Sequence, residues 1–332
     1  MDIEKLLEAG VHFGHRVTKW NPRMAPFIYG ERNGIHILDV IQTMNFLEET
    51  SQFLEKFKNE PSTRTFAKPK EPFSGRKKSF EKPPGKSSED PSKSFDSTKP
   101  SSSAPRSRKK DVLFVGTKKQ ASQLIEKASN TINGYPFLDQ ASENADLSQA
   151  VGSGLESKNS KIVAHYVNHR WLGGLLTNWS TMKICIQQLN DLEKRNSAGE
   201  FENLPKKERS NLKKDYEKLM KFFGGIKNLK DIPDLVFIIG QDSEMNAVRE
   251  CLKIQKTNPM STKVADSNKS GSSSSKKAIS KDSNGLGQGL RTITLLDTNC
   301  DPELADLFIP ANDDSAKSLT ILLDQFTKVL SE

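Results

Sequence analysis

The sequence predicts an α/β protein with a Rossmann-like parallel sheet flanked by helices, a projecting antiparallel helical hairpin and disordered insertions. Short apolar runs alternate with amphipathic stretches, a pattern typical of the βα units of a doubly wound sheet. Polar segments rich in Lys, Ser and Pro lie between them. Only 34% of the 332 residues are hydrophobic, and the mean hydropathy is -0.63. Since a fully packed chain of this length is more apolar, part of it is predicted not to fold.

The strands of the predicted sheet are apolar runs that do not alternate with polar residues. Such runs are typical of strands buried on both faces, as in a parallel sheet. They lie at 112–115, 162–164, 235–239, 292–296 and 307–309. Apolar residues spaced three and four apart predict the helices. These cover 3–9, 40–57, 117–129, 243–256 and 315–330, the last capped by Asp313, Asp314 or Ser315.

Residues 181–223 interrupt this alternation with two highly charged but periodic stretches. The apolar positions 182, 186 and 189 recur at helical spacing, and so do 212, 216, 219 and 223 after Pro205, a residue suited to a helix start. Each stretch has a narrow apolar seam that can cover only its partner, so the two predict a hairpin that projects from the sheet. The hairpin is either a decoration of the scaffold or an arm that contacts a partner.

Three polar segments without periodicity are predicted to be insertions. Residues 59–110 hold 14 Lys/Arg and 6 Asp/Glu, an excess equal to the whole net charge of +8. The basicity of the whole chain is therefore weak evidence for a nucleic-acid partner.

The predicted organisation of the chain follows from these elements. It is an N-terminal arm and first long helix (1–58), a basic insertion (59–110), a core strand and helix (111–129), a second insertion (130–160), a core strand and loop (161–180), the hairpin (181–225), a strand and helix (226–256), a third insertion (257–289) and C-terminal strands and helix (290–332).

Several classes of protein are excluded by what the sequence lacks. No apolar run approaches the roughly 18 residues of a membrane span, and the first residues resemble neither a secretory signal nor a transit peptide. Three scattered cysteines suit neither a disulfide framework nor a zinc site. The His12/His15 and His165/His169 spacings could serve a metal, but no full ligand set stands out. The sequence lacks a Walker A loop and a Gly-x-Gly-x-x-Gly loop after a strand, so no cofactor is predicted. It also lacks a recognisable catalytic triad.

The first forty residues combine basic groups with aromatic rings in a predicted loop punctuated by Gly and Pro. Phosphate donors beside stacking rings are what RNA backbones and loops require. For Phe13, Trp20 and Phe27, packing into the core is the alternative that we favour. The candidates for RNA contact in this loop are His12, His15, Arg16, Trp20, Asn21 and Arg23.

Two further clusters follow predicted strands, where α/β domains bind their ligands. One stands at a helix start, whose free N–H groups favour an anion. The other is a loop around Gly173-Gly174. This loop could contact a phosphate, or it could form a tight corner that buries two tryptophans, and the two interpretations are compatible. The candidates in these clusters are Lys118, Lys119, His169, Arg170 and Asn178.

Seven motifs recur in the order of a known family. They are Ala9–His15, Trp20–Met24, Phe114–Lys118, Val167–Gly174, Gly225–Lys227, Asp297–Pro302 and Ile309–Asp314. Together they closely resemble the bacterial-type small-subunit ribosomal proteins of the S-two family over nearly all of the core. The resemblance implies a Rossmann-like domain with a helical hairpin, no enzymatic activity, and binding to small-subunit rRNA beside neighbouring small-subunit ribosomal proteins. The three insertions depart from the family pattern.

The predicted function is therefore that of a structural constituent of the small ribosomal subunit, with no membrane, cofactor or small-molecule substrate. The alternative is a Rossmann-type nucleotide-dependent enzyme, which the missing glycine fingerprint disfavours. The chain stops just past the last predicted helix, its insertions are rich in Lys and Ser, and its first residues do not resemble a transit peptide. Together these features predict a plastid gene and a place in the chloroplast stroma. Bacterial cytoplasm is the alternative location.

Overall fold

The computed structural model of the protein describes residues 2–60, 109–134, 162–257 and 289–331. The elements in chain order are α1 (Ile3–Glu8), β1 (Phe13–Arg16), β2 (Ile28–Arg32), β3 (Ile35–Leu38), α2 (Val40–Asn59), β4 (Lys110–Val115), α3 (Lys119–Ile132), β5 (Ile162–Val167), α4 (Trp179–Ser197), α5 (Lys206–Phe223), β6 (Leu235–Ile239), α6 (Met245–Thr257), β7 (Arg291–Leu296), β8 (Leu307–Pro310) and α7 (Ala316–Ser331).

The predicted parallel sheet is confirmed, with the strand order β5-β4-β6-β7-β8 and parallel pairing throughout. When the strands of this sheet are counted along the chain, the order is 2-1-3-4-5. This is a doubly wound topology whose switch point lies between β4 and β6. Ligands of such sheets bind at the carboxyl ends of the strands, beside the switch point.

Helices cover both faces of this sheet. Val112 and Phe114 pack on one face with α2, α3 and α7, whereas Leu113 and Val115 pack on the other face with α4 and α6. Because both faces are buried, each strand reads as a continuous apolar run. Among the described helices, none is both long and apolar enough to cross a membrane.

The segment after α1, which was predicted to be a loop, contains a three-stranded antiparallel sheet with the order β1-β3-β2. Asn33-Gly34 joins β2 to β3 with positive φ at both residues (54° and 76°), the signature of a tight hairpin turn. Met24, Phe27 and Leu38 pack this sheet against Leu296 at the end of β7. The loop prediction was wrong because these strands have four or five residues and irregular register, which hides any alternation.

Regular structure extends into all three predicted insertions. It includes Asn59 in α2, Lys110 in β4, residues 130–132 in α3 and Thr257 in α6. The remaining parts of these segments (61–108, 135–161 and 258–288) lie outside the described residues.

Side chains bond to the backbone of both outer strands of the main sheet. Asn133, just after α3, donates to the carbonyl of Ala164 on β5 (2.8 Å) and accepts from its N–H (2.9 Å). Its amide therefore pairs with β5 as a further strand would. At the opposite edge, the hydroxyl of Thr43 on α2 donates to the carbonyl of Pro310 on β8 (2.7 Å). These bonds hold the end of α3, which extends to Ile132 and so past the predicted end at 129, against β5.

Helices α4 and α5 form the predicted hairpin. Between Lys206 and Phe223 only Phe223 is buried, and in α4 only Ile186 and Leu189 are buried. The apolar seam of α5 is half-buried, so this helix packs on α4 and has little contact with the sheet. Lys227 binds the carboxylate of Glu193 (3.0 Å) and so ties α4 to the segment that follows α5.

The hairpin returns to the sheet at Gly224-Gly225. A Cβ atom at Gly225 would lie 2.2 Å from the carbonyl oxygen of Tyr166 on β5 and 2.7 Å from its ring. Only glycine permits so close an approach between two backbones. Ile226, the next residue, is fully buried. A backbone contact and a buried side chain therefore anchor the base of the hairpin.

Gly225→Ala is expected to lower the free energy of unfolding by about 2–3 kcal/mol, because overpacking against a fixed backbone costs roughly that much. Thermal and urea unfolding measure the change. Gly173→Ala is the matched control, since nothing lies within 4 Å of the position of its Cβ. Equal stability of the two variants would contradict the close contact.

Candidate nucleic-acid interface

The switch point of the main sheet is filled by the side chain of Lys118. Its aliphatic stem packs on Gly240, directly after β6. Its ammonium lies 2.7 Å from a carboxylate oxygen of Asp313 and 2.7 Å from one of Asp314. The side chain of Lys118 is only 17% exposed and that of Asp313 only 1%. An internal ion pair thus occupies the place where a doubly wound domain would bind a nucleotide.

His15 closes the same edge of the sheet from the N-terminal side. Its Nδ1 lies 2.9 Å from Oδ2 of Asp297, the residue after β7, and its Nε2 lies 3.5 Å from Oδ2 of Asp314. Its backbone N–H donates to the hydroxyl of Thr298 (2.9 Å), 283 residues away along the chain. We call these five ionisable groups the edge cluster; they are His15, Lys118, Asp297, Asp313 and Asp314.

The protonation equilibria of the edge cluster follow from its burial and its three carboxylates. The hydrogen bond with Asp297 raises the pKa of His15, although burial opposes the charged ring. Burial also opposes the charge of Lys118, but Asp313 and Asp314 outweigh it and raise its pKa. Burial, reinforced by Asp297, raises the pKa of Asp313 to about 6 against the pull of Lys118. The edge cluster therefore contains three carboxyl groups but only two groups that can carry a positive charge, His15 and Lys118.

Three members of the edge cluster have the ligand atoms that a divalent cation could use. His15, Asp297 and Asp313 each offer one such atom, all within 4.8 Å of one another. The ammonium of Lys118 already lies against Asp313. Of the two histidine pairs considered from the sequence, only His15 joins such a group among the described residues.

Asn21 and Arg23 hold the N-terminal segment to the connection between β7 and β8. The backbone N–H of Asn21 donates to the carbonyl of Thr298 (2.8 Å), and its side chain accepts from the N–H of Arg23 (3.1 Å). The guanidinium of Arg23 pairs with Asp301 and with Glu303 (3.0 Å). Both candidates thus make contacts within the protein, and the side chain of Arg23 is still 52% exposed.

His12 and Trp20 belong to the small antiparallel sheet and its connection. The ring of His12 packs on Phe13 (4.1 Å between centroids), and burial lowers the pKa of His12. Trp20 covers the buried ring of His36 (5.2 Å). Trp20 and Phe13 are 40% and 47% exposed, so the expectation that they lie in the core was wrong. Phe13 pairs with Ile37 on the exposed face of the small sheet, whereas Trp20 covers His36 on the other face from outside.

Glu250 on α6 organises the loop that follows β5. Its carboxylate accepts from the backbone N–H groups of Gly174 (2.6 Å), Leu176 (3.0 Å) and Thr177 (3.2 Å), and from the indole N–H of Trp171 (3.2 Å). These backbone donors are therefore already satisfied by a protein carboxylate. Sequence reasoning missed Glu250 because it lies more than 70 positions from the loop, on an ordinary amphipathic helix.

Asn178 has a local structural role in the same loop. Its backbone N–H donates to the carbonyl of Gly174 (2.8 Å), and its side-chain oxygen accepts from the hydroxyl of Thr181 (2.9 Å). The residue directly precedes α4 and is exposed. It fixes the start of the hairpin.

Four candidates keep their polar groups free at the surface: Arg16, Lys119, His169 and Arg170 are exposed and make no ion pair or side-chain hydrogen bond with the described residues. Lys119 comes after β4, and His169 and Arg170 come after the neighbouring β5, at the carboxyl edge of the main sheet. Arg16 is the last residue of β1 and pairs with Ile35 in the small sheet. We call these four residues the basic rim.

Comparison with known proteins identifies the family. The family model described as ribosomal protein S2 matches residues 6–71, 149–269 and 285–332. The chain belongs to the ribosomal protein S2 family. Membership confirms the resemblance that the seven motifs predicted, and it makes this a structural ribosomal protein. The alternative of a nucleotide-dependent enzyme was wrong. The matched segments leave out β4 and α3, including Phe114–Lys118, so the family model does not test that motif.

Relatives align with the chain from end to end. The small ribosomal subunit protein uS2c of Oltmannsiellopsis viridis is 35% identical over 99% of this chain and 91% of its own length. The uS2c protein of Mesostigma viride is 34% identical over 99% and 96%. The small ribosomal subunit protein uS2 of Synechococcus sp. (strain JA-3-3Ab) is 31% identical over 100% and 82%. These alignments span the segments that the family model leaves out.

The raised pKa of His15 predicts a pH dependence of stability. A group whose pKa is higher in the folded state stabilises fully below its unfolded pKa, near 6.5, and loses that contribution as pH rises through the folded value. The wild type should therefore lose more stability than His15→Gln as pH rises above 6.5. Gln can still donate to Asp297 but cannot titrate. Urea unfolding from pH 6 to 8.5 measures this, and parallel pH profiles would contradict the role given to His15.

Glu250→Gln is expected to lower the free energy of unfolding by about 2 kcal/mol, because hydrogen bonds to a carboxylate contribute about 1.5–3 kcal/mol and an amide has a single acceptor. Hydrogen exchange of Gly174 and Leu176 should accelerate more than exchange elsewhere in the chain. Glu48→Gln, on the exposed side of α2, is the control for charge. Unchanged exchange in the loop would show that Glu250 does not organise it.

Proposed function

We propose that the protein is a constituent of the small ribosomal subunit and that its basic rim contacts the phosphate backbone of small-subunit rRNA. The names of its relatives support assembly into that subunit. The observation that carries the RNA contact is the contrast at the carboxyl edge of the sheet. There the edge cluster fills the switch point, while the basic rim faces outwards with its charges unpaired by the described residues.

A surface of this kind suits a polyanion better than a small ligand. Arg and Lys at the surface bind phosphates with little regard to sequence, and their contacts fix the position of a protein on RNA. Arg16, Lys119 and Arg170 stand on three separate elements, so together they can follow a backbone. Asn21, Arg23 and Lys118 act behind them by holding those elements together.

We also propose a contact with a neighbouring ribosomal protein, through the uncovered face of the small antiparallel sheet. Phe13 (47% exposed), Ile35 (37%) and Tyr29 (82%) present apolar surface there. Exposed apolar groups in one region are typical of protein contacts.

For the location we propose the small subunit of chloroplast ribosomes. The support is the similarity to the uS2c proteins, the plastid-encoded form, at 35% and 34% identity. The cyanobacterial relative is 31% identical, so bacterial cytoplasm is the competing location. Gradient sedimentation of a native extract and of isolated organelles tests both points. The protein should travel with small subunits from the organelle; its recovery only in light fractions would overturn the proposal.

Changing Arg16, Lys119 and Arg170 together to Gln should weaken binding to small-subunit rRNA by about 10- to 100-fold near 0.1 M salt. Each phosphate contact contributes about 0.7–0.9 to the slope of log affinity against log salt, so the slope should flatten by about 2–3. The melting temperature should change little, since none of the three is buried.

The controls separate charge from folding. Lys56, Lys230 and Lys328 are exposed near the end of α2, before β6 and near the end of α7, and their joint change to Gln removes the same charge away from the carboxyl edge. Lys118→Gln should instead destabilise the fold by about 3 kcal/mol, because it leaves a buried carboxylate without its partner. A rim variant that binds RNA and assembles like the wild type would exclude the basic rim as the RNA contact.

A further inference from the structure

The outer edge of β2 is left open by the described residues. In the main sheet, by contrast, Asn133 and Thr43 bond to the two outer strands. In the small sheet, the outer edge of β1 is met by Thr298, whose hydroxyl accepts from the backbone N–H of His15 (2.9 Å). β2 is the other outer strand of the small sheet, and no described residue outside that sheet bonds to the backbone of Tyr29–Glu31.

The turn between β2 and β3 fixes which backbone groups of β2 point outwards. Arg32 and Ile35 flank this two-residue turn, so they exchange both of their backbone hydrogen bonds. Glu31 pairs with His36 one step further along, at a position where antiparallel strands do not bond to each other. The N–H and the C=O of Glu31 therefore point away from β3, where they can pair with a further strand.

The side chains of β2 form a pattern that a further strand can complement. Nothing lies within 4 Å of the position of a Cβ atom at Gly30, so a large side chain opposite this residue finds open space. Glu31 and Arg32 are exposed on opposite faces of the strand, and neither forms an ion pair with the residues that the structure describes. The edge thus offers an empty slot, a negative charge and a positive charge at three successive positions.

The charges on β2 argue against two other occupants of this edge. A register shift between Ile28 and Gly30 interrupts the regular pairing, so a symmetric pair of two copies would centre on Glu31. Two carboxylates would then lie opposite each other, and like charges at such positions destabilise a strand pair. An RNA backbone is repelled by the same carboxylate and has no N–H to offer to the outward carbonyl. The edge is therefore suited to an extended segment of a different protein.

We propose that the outer edge of β2 accepts an extended segment of a neighbouring small-subunit protein as a fourth strand of the small sheet. The segment carries an aromatic residue opposite Gly30, a Lys or Arg opposite Glu31, and an Asp or Glu opposite Arg32. An aromatic side chain across from an edge glycine stabilises a sheet. In strand addition, main-chain hydrogen bonds provide affinity and the alternating side chains provide selectivity. This inference rests on the proposed function, because it takes the neighbouring protein from there.

The first test uses the full chain assembled into small subunits, with Tyr29→benzoylphenylalanine as a photoreactive group. Because Tyr29 is 82% exposed, the change is expected to leave the fold intact. Irradiation should join this position to one protein segment in which a basic residue lies between an aromatic residue and an acidic one. Joining to rRNA alone, to a second copy of the chain or to a protein segment without this pattern would overturn the proposal.

The second test separates backbone pairing from side-chain contact. The joined segment is made as a peptide and titrated against the free full chain, which should bind it. Proline is tolerated on an edge strand where its missing N–H would face away from the sheet. Glu31→Pro should weaken binding by roughly tenfold, because the complex loses a backbone hydrogen bond and leaves a carbonyl unpaired. Glu31→Ala keeps the N–H and should weaken binding less; equal losses, or a peptide that does not bind the wild type, would contradict strand addition.

Two further variants keep the test valid if Glu31→Pro does not fold. Arg32→Glu should weaken binding of the peptide, and replacing the acidic residue of the peptide with Lys should restore it, because opposite charges across a strand pair attract. Gly30→Val fills the open slot, so it should weaken binding without lowering the melting temperature. Charge reversal that does not restore binding would show that the proposed register is wrong.

The outcomes separate strand addition from the proposed function. A wild type that binds rRNA and enters small subunits, but joins to no segment of the stated pattern, would overturn strand addition alone. A wild type that neither binds rRNA nor sediments with small subunits would overturn the proposed function itself.

Discussion

The arrangement of the chain depends on the ion pair between Lys118 and the carboxylates of Asp313 and Asp314. His15 and Asp297 reach the same point from the N-terminal segment and from the end of β7. Buried charges are stable only when each has a partner, so all of these segments must be in place together. The edge cluster therefore couples the docking of the small sheet to the docking of α7, although the two lie at opposite ends of the chain.

The edge cluster also determines whether the main sheet can bind a ligand at its switch point. A doubly wound sheet has a natural ligand site at its switch point, and here the protein fills that site with its own side chains. What remains for function is the outer surface, where Arg16, Lys119 and Arg170 of the basic rim stand on three different elements. Two separated contacts with one RNA would fix the orientation of a rigid body, which a single contact leaves free to rotate. A structural protein needs that property more than it needs a cavity.

The main sheet could be predicted from the sequence because Val112–Val115 and Leu235–Ile239 are buried on both faces and read as apolar runs. The small sheet could not, although Asn33-Gly34 was a usable hairpin signal. The partners of Lys118 could not be predicted from the sequence either. Nothing in the sequence singles out Asp313, which only tertiary packing brings to the ammonium. Glu250 was hidden for the same reason.

The N-terminal segment shows how far residue type alone identifies a site. His12, His15, Asn21 and Arg23 have the chemistry of RNA ligands, yet each makes contacts inside the protein. A hydrogen-bond donor is equally useful for closing a fold and for binding a phosphate. Spacing along the chain does not separate these uses, because the carboxylates that His15 and Arg23 meet lie some 280 residues away. Exposure in the folded structure separates them, and it selects Arg16 from this segment.

The side chains that bond to the outer strands have a consequence for the life of the protein before it meets RNA. An open sheet edge invites strand addition from another copy, which leads to aggregation. Asn133 occupies the polar groups of Ala164 on one edge, and Thr43 occupies the carbonyl of Pro310 on the other, where proline has no N–H to offer. At these two points the main sheet offers less to a strand of another copy before the protein has met its RNA.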